Sequence, residues 1–244
     1  MKGIGAVIFD FNGVLVDDES VHFALFREIL AHEKVVITER DYHERYLGYD
    51  DRRCFETALV DAGETADRKR LDQLIARKAQ RYVEVAEQGL RYFPAAAQTL
   101  STTAGRWPVG ICSGALRSEI EYALRRLGCR NQVVAIISAE DTEKCKPDPT
   151  SYQMALEALR ACSWDRHSDM TTRQPGKRLD LDAVNCLVVE DSLAGIAAAK
   201  GAGMHAVGVS NTYSPDQLRK AGADAVIDGL ATLTLDWIER RFSS

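Results

Sequence analysis

Ala6–Phe9 is an unbroken apolar run of β-branched and aromatic side chains, which predicts a short strand buried on both faces. The run stops at Asp10-Phe11-Asn12-Gly13, a turn signal. From Asp17 to Gln88 the period changes. Apolar residues recur three and four apart, as in Val21, Leu25 and Ile29, in Cys54 and Ala58, and in Leu71, Leu74 and Ile75 with Lys78 in step. That spacing predicts three or four helices, closed by Gly89 and Pro94. Beyond Pro94 strands and helices alternate. Strands are predicted at Val109–Cys112, Val133–Ser138, Cys186–Val189, Ala206–Val209 and Ala225–Ile227. Helices are predicted at Ala95–Thr103, Leu116–Leu127, Thr150–Ala161, Leu193–Lys200, Pro215–Ala221 and Leu230–Arg241.

Such alternation implies crossover connections and a parallel sheet covered by helices on both faces, an α/β, Rossmann-like doubly wound fold. The helical block interrupts this pattern directly after the first strand. Residues 1–16 and 90–244 are therefore expected to form the core, and 17–89 a small inserted helical cap. An insertion at the C-terminal end of a strand lies over the place where open α/β sheets bind ligands. Residues 162–183 show no period and read as a long surface loop, either passive or engaged in contacts or oligomerisation.

Charge narrows the function. Lys and Arg total 31 against 36 Asp and Glu, a net charge of −5, which disfavours nucleic acid or an anionic membrane as partner but leaves room for a local anion site. No apolar run approaches the roughly 18 residues of a membrane span, and the apolar stretch at the N-terminus is too short for a signal peptide, so a cytoplasmic location is expected. Six cysteines without a C-x-x-C pair read as reduced thiols, neither a disulfide framework nor a zinc site. No nucleotide-cradling glycine motif is present, and Ser113 does not sit in a G-x-S-x-G elbow.

Four chemically active segments fall at the C-terminal ends of predicted strands: Asp10, Ser113, Lys146 and the pair Glu190-Asp191. Parallel strands bring such ends to one rim. A carboxylate can attack phosphorus, splitting one hard step into two. A cation held by carboxylates offsets the repulsion between that nucleophile and a phosphate dianion. A lysine and a serine hydroxyl can hold the phosphoryl oxygens.

Phe9-Asp10-Phe11-Asn12-Gly13-Val14-Leu15-Val16-Asp17, Cys112-Ser113-Gly114, Lys146-Pro147-Asp148-Pro149 and Val189-Glu190-Asp191-Ser192-Leu193-Ala194-Gly195-Ile196 resemble the four motifs of the haloacid dehalogenase superfamily. The likeness covers nearly the whole chain, and the helical insertion resembles the cap of β-phosphoglucomutase-like and phosphoglycolate phosphatase-like members. The resemblance implies a Mg²⁺-dependent phosphatase of a small phosphorylated metabolite, acting through an aspartyl-phosphate. It implies Asp10 as nucleophile and Mg²⁺ ligand, the Asn12 carbonyl as second ligand, Asp191 as third, and Glu190 as outer or alternative ligand. It assigns Ser113 and Lys146 to the phosphoryl group, Lys146 also to restraining Asp10, and Gly114 to close approach of backbone and phosphate.

One position departs from the pattern. The family's phosphatases carry an aspartate two residues after the nucleophile, as general acid and then base; this chain has Asn12. Losing a positioned acid/base costs roughly 10²–10⁴-fold in rate. Three accounts stay open: a native Asn with a good leaving group or another base, an introduced Asp→Asn that traps a bound state, or a weakened enzyme kept for binding or regulation. A phosphosugar mutase is a further alternative. Asp17, Glu19 and His22 are candidate substitutes, with helix capping by Asp17 and Asp18 and a packed His22 as the plainer readings. Arg52, Lys78 and Arg117 are the cationic candidates for reading an anionic substrate. Neither a monomer nor a homodimer is favoured.

Overall fold

The computed structural model describes residues 3–162 and 179–242. The loop expected over 162–183 therefore falls largely outside the described residues. A six-stranded, all-parallel sheet forms the centre, in the order β3-β2-β1-β4-β5-β6. The strands are β1 (Ala6–Phe9), β2 (Val109–Cys112), β3 (Val133–Ile137), β4 (Cys186–Glu190), β5 (His205–Val209) and β6 (Ala225–Ile227). β1 and β4 are buried at every position, as the unbroken apolar runs require of strands covered on both sides.

Alternation along β1 separates two cores. Val7 and Phe9 face a cluster with Leu100 of α5 (Ala96–Ala104), Ile120 and Leu124 of α6 (Arg117–Arg126), and Ile238 of α10 (Leu235–Phe242). Ala6 and Ile8 face the other, with Tyr152 and Leu156 of α7 (Thr150–Ala161), Ile196 of α8 (Leu193–Gly201) and Leu218 of α9 (Pro215–Lys220). Helices thus cover both faces, and the doubly wound expectation holds.

Between β1 and α5 run α1 (Glu19–His32), a short α2 (Glu39–Asp41) that widens into a π turn over Tyr42–Tyr46, α3 (Asp51–Asp61) and α4 (Arg68–Gln88). These helices enclose an apolar cluster of their own, including Phe26, Leu30, Tyr42, Phe55, Leu59 and Leu74. On α4 the buried stripe reads Leu71, Leu74, Lys78, Tyr82 and Ala86, so a lysine occupies a core position.

One expected element divides. The helix foreseen over Leu230–Arg241 is a 3₁₀ turn at Leu230–Thr232 followed by α10. Thr234 Oγ1 accepts from the Trp237 N–H at 3.1 Å, the geometry of a cap, and a threonine that satisfies a first-turn donor starts a helix better than it continues one.

Arg117, at the first turn of α6, has its guanidinium on Asp141 Oδ2 at 2.5 Å and on the Ile136 carbonyl at 3.1 Å. Asp141 Oδ2 also accepts from the Ser138 N–H and hydroxyl, both at 2.7 Å. Burial alone would raise the Asp141 carboxyl; the Ser138 donors and then Arg117 hold it below its ordinary value. A carboxyl depressed in the folded state contributes stability above its unfolded pKa of about 3.9, and this is lost as pH falls through the folded value. Asp141→Asn is thus expected to cost about 1.5–3 kcal/mol near neutrality, the scale of hydrogen bonds to a charged group, and the difference from wild type should shrink below about pH 3.9. Urea unfolding at a series of pH values checks this. A second packing constraint lies at Gly195, where an added Cβ would sit 1.6 Å from Glu190 Oε1 and 1.9 Å from its carboxyl carbon. Gly195→Ala should destabilise by about 1–3 kcal/mol, read as a lower urea midpoint at unchanged m-value.

Candidate active site

The sheet order reverses between β1 and β4, and their C-terminal ends are adjacent, with Phe9 in register with Val189. A crevice at such a switch point is where doubly wound sheets bind ligands. Asp10 leaves β1 with its N–H donating to the Val189 carbonyl at 2.9 Å. Glu190 ends β4 and Asp191 follows it. Ligand oxygens of Asp10, Glu190 and Asp191 lie within 4.8 Å of one another, and all three residues are buried.

Three buried carboxylates at such range repel, and the neighbourhood answers unevenly. Lys146 Nζ lies 3.1 Å from Asp10 Oδ1 and 2.7 Å from Glu190 Oε1, and donates to the Cys112 carbonyl at 3.1 Å. Glu190 is the best satisfied: Oε1 also accepts from Tyr152 Oη at 3.1 Å, and Oε2 accepts from the Ser192 N–H at 2.8 Å and hydroxyl at 2.9 Å. Burial would raise its carboxyl, but Lys146 and the Ser192 donors draw it below the ordinary range. Asp10 moves the other way, pushed up to about 7 first by burial and then by the Glu190 charge, against the pull of Lys146. Its Oδ1 is buried, with the Lys146 ammonium, shared with Glu190, beside it. Asp191 is raised well above its ordinary value by burial and by Glu190 and Asp10, and accepts from the Thr212 hydroxyl. Asp10 and Asp191 are thus the under-compensated pair, and a divalent cation between them would supply the missing positive charge. An oxygen-only donor set of this kind suits Mg²⁺.

Space at the cluster is kept by glycine. Gly13 has φ +76°, and a Cβ there would lie 2.1 Å from Asp191 Oδ2. Its carbonyl accepts from Asn211 Nδ2 at 2.7 Å, which ties the first loop to the one after β5. Ser113 follows β2, with its N–H on the Ile137 carbonyl at 2.9 Å and its hydroxyl donating to Asn12 Oδ1 at 3.3 Å. Gly114 lies under Asp50 of the helical insertion, with 3.5 Å from a Cβ built there to the Asp50 Cβ.

Asn12 points away from the carboxylate cluster. Its Nδ2 donates to Asp18 Oδ1 at 3.0 Å and Oδ2 at 3.1 Å, and lies 3.1 Å from His22 Nε2. Asp18 is fully buried and also accepts from Tyr82 Oη at 2.6 Å. Burial would raise Asp18, but His22 and the donors from His22, Asn12 and Tyr82 lower it. This corrects the capping expectation: Asp18 stands at the N-cap of α1 but makes no side-chain cap bond, because its oxygens are taken by this network. Asp17 pairs instead with Arg91 at 2.7 Å.

The cleft above these groups has a volume of about 130 Å³ and is walled on one side by the strand-end loops and on the other by the helical insertion. Asp10, Asn12, Ser113, Gly114, Lys146 and Asp191 line it, whereas Glu190 lies beneath. The three cations expected to face substrate are elsewhere. Arg52 pairs with Asp72 on the outside of the insertion at 2.5 Å. Arg117 is held by Asp141, as described. Lys78 is fully buried behind the wall, 2.6 Å from Asp51 Oδ1 and 2.8 Å from His22 Nδ1. Each is drawn to a carboxylate or an imidazole that a helical wheel does not reveal. Residues the sequence reading did not single out are Tyr152, which seats Glu190, and Thr212 and Asn211, which brace the cluster. Their signal is only positional: Tyr152 follows the Lys146 loop, and the other two follow a strand.

A haloacid dehalogenase-like hydrolase family model matches residues 4–203. A β-phosphoglucomutase of Bacillus subtilis is 27% identical over 242 residues, covering 97% of this chain and 95% of that protein. A phosphoglycolate phosphatase of Rhodospirillum rubrum is 25% identical over 242 residues, covering 96% and 90%. The crystal structure of CbbY from Rhodobacter sphaeroides in complex with phosphate superposes with a TM-score of 0.79 at 21% identity, over 97% of this chain and 99% of that one. With the family match running through all four strand-end loops, the chain belongs to the haloacid dehalogenase-like hydrolases.

Proposed function

We propose that this hydrolase is a Mg²⁺-dependent phosphatase of a small phosphomonoester, a class that includes sugar phosphates and phosphoglycolate, with residues 17–89 acting as its cap. One observation carries the reading: Asp10, Ser113, Lys146 and Asp191, from four separate loops, line one cleft over a buried cluster of carboxylates. Asp10, Asp191 and the Asn12 carbonyl would hold the ion, with Glu190 behind them. When bound, Mg²⁺ supplies positive charge that lets two anions approach.

In the proposed reaction an Asp10 oxygen attacks phosphorus and forms an O–P bond. The bond to the ester oxygen breaks, and its electron pair leaves on the alkoxide. The Ser113 hydroxyl and the Lys146 ammonium hold the phosphoryl oxygens, and Lys146 also fixes the rotamer of Asp10. Water then attacks phosphorus, the bond between phosphorus and the Asp10 oxygen breaks, and the attacking water's proton passes to solvent, leaving the Asp10 carboxylate and inorganic phosphate. The alkoxide takes its proton from water, because Asn12 has none to give: its amide is committed to Asp18.

That commitment also favours a second reading, a weakened enzyme that binds phosphorylated ligands and turns them over slowly. A mutase, named for one of the relatives, would pass the phosphoryl group to a second sugar hydroxyl in place of water.

Asp10→Ala is expected to reduce phosphate release from a phosphomonoester panel to background, and EDTA to do the same reversibly; activity that survives Asp10→Ala would remove the proposed mechanism. Asn12→Asp is expected to raise the rate by about 10²–10⁴-fold. It should also lower the Tm, since a carboxylate would replace the amide that donates to Asp18. Steady-state kinetics on protein whose intact mass confirms Asn12 checks this, because the Asn12-Gly13 pair is prone to deamidation. An unchanged rate would show that the missing acid does not limit turnover.

A further inference from the structure

We infer that the alcohol half of the substrate carries hydroxyl donors and no second anionic group, so that phosphoglycolate, sugar acids and bisphosphates are disfavoured. This rests on the phosphomonoester reading above and narrows it. The charge pattern of the cleft wall opposite Asp10 carries the inference.

That wall presents Glu19, Asp50 and Asp51. Their hydrogen bonds hold them in place. Glu19 Oε1 accepts from Tyr42 Oη at 2.5 Å. Asp50 caps α3 through the Arg53 N–H at 2.8 Å and accepts from the Cys145 thiol at 2.5 Å, a bond that joins the insertion to the core. Asp51 Oδ1 takes the Lys78 ammonium, and its Oδ2 is buried without a partner. Glu19 and Asp50 keep lone pairs for which a substrate hydroxyl is a fitting donor.

The cations that could receive a second anion are turned elsewhere. Lys78 lies behind Asp51, Arg52 lies on Asp72, and Arg53 stacks on the Tyr49 ring, 4.1 Å from its centre. Among the described residues, the basic groups lining the cleft are Lys146, shared by Asp10 and Glu190, Lys144, and His22, whose Nε2 lies 3.3 Å from the buried Asp18 carboxylate. Lys144 is a rim residue 65% exposed and 3.6 Å from Asp148, so its field is screened by water. A second carboxylate or phosphate would meet the Glu19 and Asp50 carboxylates, with Asp51 already offset by Lys78, in a narrow cleft where like charges are poorly screened.

The test uses matched pairs with Mg²⁺: glucose 6-phosphate against 6-phosphogluconate, fructose 6-phosphate against fructose 1,6-bisphosphate, and glycolaldehyde phosphate against phosphoglycolate. Both kcat/KM for phosphate release and the rise in Tm on adding each compound are measured. The member with the phosphate as its one anionic group should exceed its partner by about tenfold or more in kcat/KM and give the larger Tm rise. In Glu19→Gln/Asp50→Asn, which keeps one acceptor oxygen at each position and removes two charges, that ratio should fall by about threefold or more. Asp10-dependent release that is equal or faster for the anionic members, or a ratio unmoved in the double variant, would overturn the inference and leave the phosphatase reading standing. No Asp10-dependent release and no Tm rise from any member would overturn both.

Discussion

The Lys146 ammonium, shared between Asp10 and Glu190, is the interaction on which the site depends. Carboxylates placed at the ends of adjacent strands have no room to separate, because the sheet register fixes their backbones. A single buried cation cannot neutralise three of them. The structure settles this by giving Glu190 most of the donors and leaving Asp10 and Asp191 short. Glu190 is thereby an anchor for Lys146, and the deficit is concentrated on the two groups that face the cleft. A site that is electrostatically incomplete by itself, but complete once a cation is added, is poised to bind one.

A second buried network runs from this core into the insertion. Asn12 donates to Asp18, His22 bridges Asp18 and Lys78, and Lys78 reaches Asp51. His22 stands between the two, with Nδ1 2.8 Å from the Lys78 ammonium and Nε2 3.3 Å from Asp18 Oδ2. Glu119 of α6 adds its charge to the Lys78 environment from the core side. Breaking a buried pair by removing one partner costs about 3–5 kcal/mol, so these groups hold the insertion against the core as a set. An aspartate at position 12 would add another negative charge beside Asp18. Asn12 removes that conflict and the proton-transferring group together.

The doubly wound core was legible because fully buried strands and amphipathic helices leave distinct periods, and because Gly and Pro mark their ends. β1, β2 and β6 match their predicted limits, and α7 does so at both ends. The π turn at Tyr42–Tyr46 left no period to read, and Thr234 ended a helix by a side-chain bond that hydropathy does not register. Within the site, strand-end position sufficed to bring Asp10, Ser113, Lys146 and Asp191 together. It did not suffice for Lys78, Arg52 and Arg117. A cation on a helix shows its charge in the sequence but not its counter-ion, and Asp51, Asp72 and Asp141 are distant enough in sequence from their partners that only the fold pairs them.

The two networks divide the work in a way that explains why position 12 can change without dismantling the site. The carboxylate cluster is built from Asp10, Glu190 and Asp191, and in the proposed site position 12 would add to it only its backbone carbonyl, which asparagine retains. The second network needs from position 12 a side chain that fits between Ser113 and Asp18, and an amide meets both: it accepts from the hydroxyl and donates to the carboxylate. Asparagine therefore satisfies every structural demand at that position and fails only the chemical one. Under the proposed mechanism, ligand and cation binding would be decoupled from proton transfer at a single side chain. Affinity for a phosphorylated ligand and the rate of its turnover would then be set separately.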